Sequence, residues 1–164
     1  MNLSENQITD KNSIPRMAHD ILIIDDEADI RMLIAGILED EGYQTHQAND
    51  SSSATKSIEI RLPSVVLLDI WLEGSQLDGM ELLAQVQEKQ PHTPVIMISG
   101  HGNNETAVSA MNLGACDFIE KPFTSDRLLM VVNRVRETEL LKRENQELRR
   151  ETFGFDKLVG SSST

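Results

Sequence analysis

The chain has 164 residues, 39% hydrophobic and 26% charged, with 27 acidic against 15 basic side chains and a formal net charge of −12. That length supports one domain with a real core plus some tail, and the charge argues against a nucleic-acid surface, which needs a basic patch. The single cysteine, Cys116, excludes an internal disulfide and fits a cytoplasmic protein, while no apolar run approaches the roughly 20 residues of a membrane-spanning helix, so no membrane partner is expected.

Residues 1–16 are polar and aperiodic and read as a disordered leader, with no hydrophobic core of a signal peptide. Met17 opens the domain proper. A first strand is expected over residues 20–25, ending in Asp25-Asp26. Asp29 can cap the helix that follows, and Ile30, Leu33, Ile34, Ile37 and Leu38 fall on one of its faces. Gly42 stops that helix. Residues 43–47 alternate weakly and suit a second strand. Residues 51–60 form a weaker helix carrying Ala54, Ile58 and Ile60.

Pro63 precedes Val65-Val66-Leu67-Leu68-Asp69, the stretch around which the chain is organised. Four consecutive apolar residues suit a strand buried on both faces of a parallel sheet. The run ends in a carboxylate where open α/β sheets place their ligands. Residues 70–79 form a loop, and Met80, Leu83 and Val86 line a helix reaching about Lys89. Val95-Ile96-Met97-Ile98 is another apolar strand, followed by Ser99. Asn103 or Asn104 can cap a helix bearing Ala107, Val108 and Met111, which Gly114 ends. Asp117-Phe118-Ile119-Glu120 is the last strand, followed by Lys121-Pro122. The last helix starts near Ser125. Its Leu128, Leu129, Val132 and Val135 can cover the sheet, whereas Leu141, Asn145 and Leu148 have heptad-like spacing beyond it, with Glu139 placed to pair with Arg143. Phe153-Gly154-Phe155 is expected to interrupt this helix. Strands alternating with helices predict an α/β fold, a doubly wound, five-stranded parallel (βα)5 sheet of flavodoxin-like type with an extended last helix.

Neighbouring first and third strands would gather Asp25, Asp26 and Asp69 at one sheet edge. Such carboxylates raise one another's pKa, and a divalent cation relieves the repulsion. All-oxygen donors suit Mg²⁺ better than a transition metal. His19, His46, His92 and His101 lack metal-ligand spacing. An acidic pair after a strand is often only a helix cap, and a lone Ser or Lys is usually surface. Four elements at carboxyl strand ends, in the order Asp25-Asp26, Asp69, Ser99, Lys121, are a more specific signal.

This pattern resembles the receiver domain of bacterial response regulators, over about residues 19–137. The resemblance implies that Asp69 is the phosphoacceptor, with a sensor histidine kinase as its partner. Mg²⁺ would be held by Asp25, Asp26, Asp69 and the backbone carbonyl of Trp71, and Ser99 and Lys121 would contact the phosphoryl group. Ser99 and Phe118 would form the switch, Lys121-Pro122 would be a cis bond, and Cys116 a small buried residue. The loop after Asp69 is longer than in most receivers and lacks proline. Its sequence Asp69-Ile70-Trp71-Leu72-Glu73-Gly74-Ser75 is similar to nitrogen-regulation members of the family. Leu158-Val159-Gly160-Ser161-Ser162 resembles the beginning of the AAA+ domain of sigma-54 activators. The implied organisation is a receiver over 17–137, a helical linker over 138–157 and the start of a truncated AAA+ domain over 158–164. DNA and RNA polymerase would be met only through domains beyond this chain. A homodimer is expected through the face made by the fourth helix, last strand and fifth helix, together with the long last helix. Two other classes compete. An aspartate-nucleophile phosphohydrolase of the haloacid dehalogenase type usually carries a second Asp where Trp71 stands here. A dimerisation module that is never phosphorylated would have no use for the acidic set and Lys121.

Overall fold

The computed structural model describes residues 20–100 and 104–163, with side chains through 148 except that of Asn104. The expected leader, His19, His101 and Asn103 lie outside the described residues. Five strands, β1 (Asp20–Ile24), β2 (Gln44–Ala48), β3 (Val65–Asp69), β4 (Val95–Ser99) and β5 (Asp117–Glu120), alternate with α1 (Ala28–Asp40), α2 (Ser51–Arg61), α3 (Gly79–Lys89), α4 (Asn104–Asn112) and α5 (Ser125–Ser163). The strands form one parallel sheet in the order β2-β1-β3-β4-β5. The order reverses between β1 and β3, and an α/β sheet opens a crevice beyond the carboxyl ends of its strands at that point.

The apolar runs are buried on both faces, as a central parallel strand requires. One face carries Leu22, Ile24, Val66, Leu68 and Met97 against Ala54, Ile58, Leu82, Leu83 and Ala110 of α2, α3 and α4. The other carries Ile21, Ile23, Val65, Leu67, Ile96 and Ile119 against Ile34 and Leu38 of α1 and Leu128, Val131, Val132 and Val135 of α5. Tyr43 ties α1 to α5, donating to Asn133 through its hydroxyl while the Arg136 guanidinium lies 5.6 Å from its ring centre.

Several local expectations are corrected. Glu27, not Asp29, is the N-cap of α1, and it makes no side-chain cap; Asp29 stands in the first turn, where its charge favours the helix dipole. The buried stripe of α1 is Ile34, Ala35 and Leu38, and Leu33 is 52% exposed at its margin. Ile60 is 78% exposed, two residues past the buried Ile58 and so on the opposite side of the helix. In α4 the buried residue is Ala110, while Val108 and Met111 face outward. Cys116 is half-buried rather than buried. Glu139 pairs with Lys142, at 3.4 Å, instead of Arg143. The backbone stays helical through residues 153–155: a single mid-helix glycine costs only about 1 kcal/mol against alanine, too little to force a break.

Candidate functional site

Register assembles the site. Ile24 pairs with Leu68, so Asp25 and Asp69 follow at equivalent heights on adjacent strands. Asp69 pairs with Ile98, and Ser99 pairs with Glu120. The Lys121 backbone N–H then donates to the Ser99 carbonyl at 2.7 Å. Lys121-Pro122 is cis, as expected. The Lys121 ammonium lies 3.0 Å from Asp25 Oδ2, 3.4 Å from Asp69 Oδ2 and 4.0 Å from Glu27 Oε1.

Asp25, Asp69 and Ser99 are all buried. Asp25 is fixed on two sides: its Oδ1 accepts from the Glu27 N–H at 2.9 Å, and its carbonyl accepts from Arg31 Nη1 at 2.7 Å. Asp26 is half-buried, and its Oδ2 accepts from the Glu73 N–H at 3.2 Å. One carboxylate oxygen each from Asp25, Asp26 and Glu27 lie within 4.8 Å of one another. Glu27 is the acid that reading the sequence missed, although the run Asp25-Asp26-Glu27 shows it once the strand end is known.

Burial pushes the Asp69 carboxyl up to about 6, and the Asp25 charge adds to that; Lys121 and the Trp71 N–H oppose it without cancelling it. Burial works against the Lys121 ammonium, but its hydrogen bond to Asp25 and the Asp69 charge outweigh that and push its pKa up. The acidic edge opens into a cleft of about 780 Å³ lined by Asp26, Glu27, Asp69, Trp71, Leu72, Glu73, Asp78, Gly100 and Lys121. Buried Ser99 directly precedes Gly100, which lines the cleft. By strand alternation and the Met97–Phe118 pairing, Ser99 and Phe118 share one sheet face, and Phe118 packs half-buried against Met97's core. His46 stands elsewhere, 3.2 Å from Asp20 at the opposite end of β1.

The lengthened loop has a definite fold. Ile70 and Leu72 are buried, whereas Trp71 is 57% exposed at the cleft, its backbone N–H bonding Asp69. The loop turns at Gly74, whose φ of 74° is left-handed. Asp78 and Glu81 close it with a reciprocal capping box at the start of α3. Gly79 touches the strand end so closely that a Cβ there would lie 2.1 Å from the Asp69 carbonyl oxygen.

A 2-1-3-4-5 sheet presenting a buried aspartate, flanking acids and an inward lysine at its carboxyl edge has the form of a receiver. Residues 21–133 match the family described as the response regulator receiver domain, and the chain belongs to that family. It is 57% identical over 147 residues to the nitrogen assimilation regulatory protein NtrX of Azorhizobium caulinodans, covering 90% of this chain and 32% of that one. The crystal structure of the receiver domain of NtrX from Brucella abortus is 59% identical with a TM-score of 0.71, covering 73% of this chain and 99% of that one. The beryllofluoride-activated NtrC4 receiver domain dimer is 36% identical with a TM-score of 0.69, covering 74% and 98%. The chain spans about a third of the length of the curated NtrX relative. Among the described residues no helix is long and apolar enough to cross a membrane.

Proposed function

We propose that Asp69 accepts a phosphoryl group from a sensor histidine kinase in the cytoplasm and that the phosphorylated form controls a sigma-54-type, nitrogen-related output lying outside this chain. The carrying observation is the single Lys121 ammonium shared by the buried Asp25 and Asp69 carboxylates. A carboxylate oxygen of Asp69 attacks phosphorus, the phosphorus–nitrogen bond to the donor imidazole breaks, and the leaving imidazole takes up a proton. Lys121, close enough to hydrogen-bond Asp69, is placed to give the transferred oxygens a charge-assisted partner. Ser99, at the neighbouring strand end, supplies a hydroxyl.

The donor set fits Mg²⁺. It is all oxygen, Asp26, Glu27 and Asp69 line the cleft, and burial together with the Asp25 charge holds the Asp69 pKa up despite Lys121, which a further cation would relieve. Asp25, Asp26, Asp69 and the Trp71 carbonyl would hold the ion, with Glu27 at the edge of the set. Bound Mg²⁺ would neutralise charge building on the phosphoryl oxygens. The receiver catalyses only its own phosphorylation and dephosphorylation on this reading. Drawing Ser99 toward the phosphoryl group would free space for Phe118 and reshape the α4-β5-α5 face. Val108, Met111 and Leu113, exposed on and just after α4, support that face as a homodimer surface, as does the existence of an activated receiver dimer in NtrC4.

Incubation with a small phosphodonor and Mg²⁺, followed by mass spectrometry, tests the reading. The expected result is a single phosphoryl adduct that Asp69→Asn abolishes. Turnover of unrelated phosphoesters would favour a phosphohydrolase, and no reaction would leave a dimerisation module.

A further inference from the structure

The 70–78 loop is fastened in its middle to an element that takes no part in the acidic edge. The Ser51 N–H, at the first residue of α2, donates to Ser75 Oγ at 2.8 Å, and the Leu77 N–H donates back to Ser51 Oγ at 3.1 Å. Ser51 is 3% exposed, so water cannot readily replace either bond. The first N–H groups of a helix have no partner within it, and Asp50 already caps α2 through Ser53. The Ser51 N–H is therefore a spare donor that the loop uses. From this clasp the chain runs back through a turn, the Ser75 N–H on the Leu72 carbonyl at 3.3 Å, to the Glu73 N–H on Asp26.

We propose that Ser51 and Ser75 are positioning residues for the acidic cleft. Their exchanged hydrogen bonds hold the loop so that the backbones of Trp71 and Glu73 face Asp69 and Asp26, and so set the cleft's affinity for a divalent cation. This rests on the reading that the cleft takes Mg²⁺. Without the clasp, the Ser75–Leu72 turn and the Glu73–Asp26 bond are left to order the loop's middle, beside the site where the ion must bind. Binding and loop order are then linked, and linkage is reciprocal: Mg²⁺ should protect the Ser51 amide, on the far side of the loop from the carboxylates.

The test is Mg²⁺ titration by Trp71 fluorescence and amide hydrogen exchange at Ser51, on the parent and variants, each with its urea midpoint. Ser75→Ala should weaken Mg²⁺ binding about fivefold and remove Ser51 protection; Ser75→Thr, which keeps the hydroxyl, should restore both. Ser51→Ala, removing the returning bond, should weaken binding in the same direction and stands in if Ser75→Ala does not fold. Ser64→Ala is the control: its Oγ bond to the Asp20 carbonyl, 2.9 Å, lies at the opposite end of β1, so its loss should lower stability and leave Mg²⁺ affinity unchanged. A parent that binds Mg²⁺ and a Ser75→Ala variant that binds it equally well overturn this proposal alone, as does an equal loss in Ser64→Ala. A parent with no Mg²⁺ response overturns the cation reading, and this proposal with it.

Discussion

Replacing Gly79 with alanine puts a methyl group where backbone already stands. The new Cβ would lie 2.1 Å from the Asp69 carbonyl oxygen, 2.6 Å from Ile70 Cα and 2.7 Å from the Ile70 carbonyl oxygen. No flexible side chain can move aside, so the start of α3 must back away from the strand by about 1 Å or more to reach ordinary contact. That movement breaks the Gly79 N–H bond to the Ile70 carbonyl, now 2.8 Å, and pulls at the Asp78–Glu81 capping box. Overpacking costs about 1–3 kcal/mol, the lost hydrogen bond about 1 kcal/mol and a weakened cap about 1 kcal/mol. Together these predict a loss of roughly 3–5 kcal/mol. Gly36→Ala supplies the opposite sign in the same molecule. It lies inside α1 with nothing within 4 Å of the added Cβ, and should gain about 0.5–1 kcal/mol from helix propensity. Urea denaturation followed by far-ultraviolet circular dichroism reads both. A Gly79→Ala variant within about 1 kcal/mol of the parent would refute the claim that α3 is wedged against the Asp69 carbonyl.

Five further outcomes are expected. In the metal-free protein Asp69 titrates near 6 rather than at 3.8, so between those values the folded state holds the extra proton. This contribution to stability is full below 3.8 and is lost as pH rises through 6, which a comparison of parent and Asp69→Asn urea midpoints would show. Mg²⁺ competes with that proton, so its apparent affinity should fall below pH 6 by up to about tenfold per unit. Lys121→Met removes the cation facing two buried carboxylates and should move the Asp69 pKa further up, as read by carbon NMR titration. Asp26→Asn should weaken Mg²⁺ binding by roughly an order of magnitude; unchanged affinity would remove Asp26 from the donor set. Leu141 and Leu148 are each 60% exposed on α5, and changing both to Glu should weaken self-association in sedimentation while leaving Mg²⁺ affinity intact.

The strands and the acidic edge were legible because they depend on strong, local signals. An apolar run ending in aspartate states both burial and position, and two such runs in a parallel sheet place Asp25 beside Asp69 by register alone. The helix faces were less legible. Leu33, Ile60 and Val108 fit the periodic pattern, yet which side of an amphipathic helix meets the sheet is decided by packing that a sequence does not display, here by small residues such as Ala35 and Ala110. The 70–78 loop was the least legible element. Its fold depends on Ser51 and Ser75, 24 residues apart, and neither carries a signal until α2 and the loop are seen together.

Charge explains why this edge is the part of the fold with unfinished business. Asp25, Glu27 and Asp69 meet the Lys121 ammonium, Asp26 stands beside Asp25 and Glu27, and Asp25 and Asp69 are buried. The sheet beneath is satisfied by apolar packing on both faces, so it can carry this crowding of acids, and burial of Asp69, with the Asp25 charge adding to it, raises its pKa. On the proposed reading, phosphorylation replaces the single charge of the Asp69 carboxylate with an acyl phosphate of nearly double charge. The demand for positive charge therefore grows when the switch is thrown. A cation should then bind the phosphorylated form more tightly than the free form, and by linkage should favour phosphorylation to the same extent. The acids and the lysine would thus act as one charge system, in which the reactive aspartate is kept partly uncompensated until an ion and a phosphoryl group arrive.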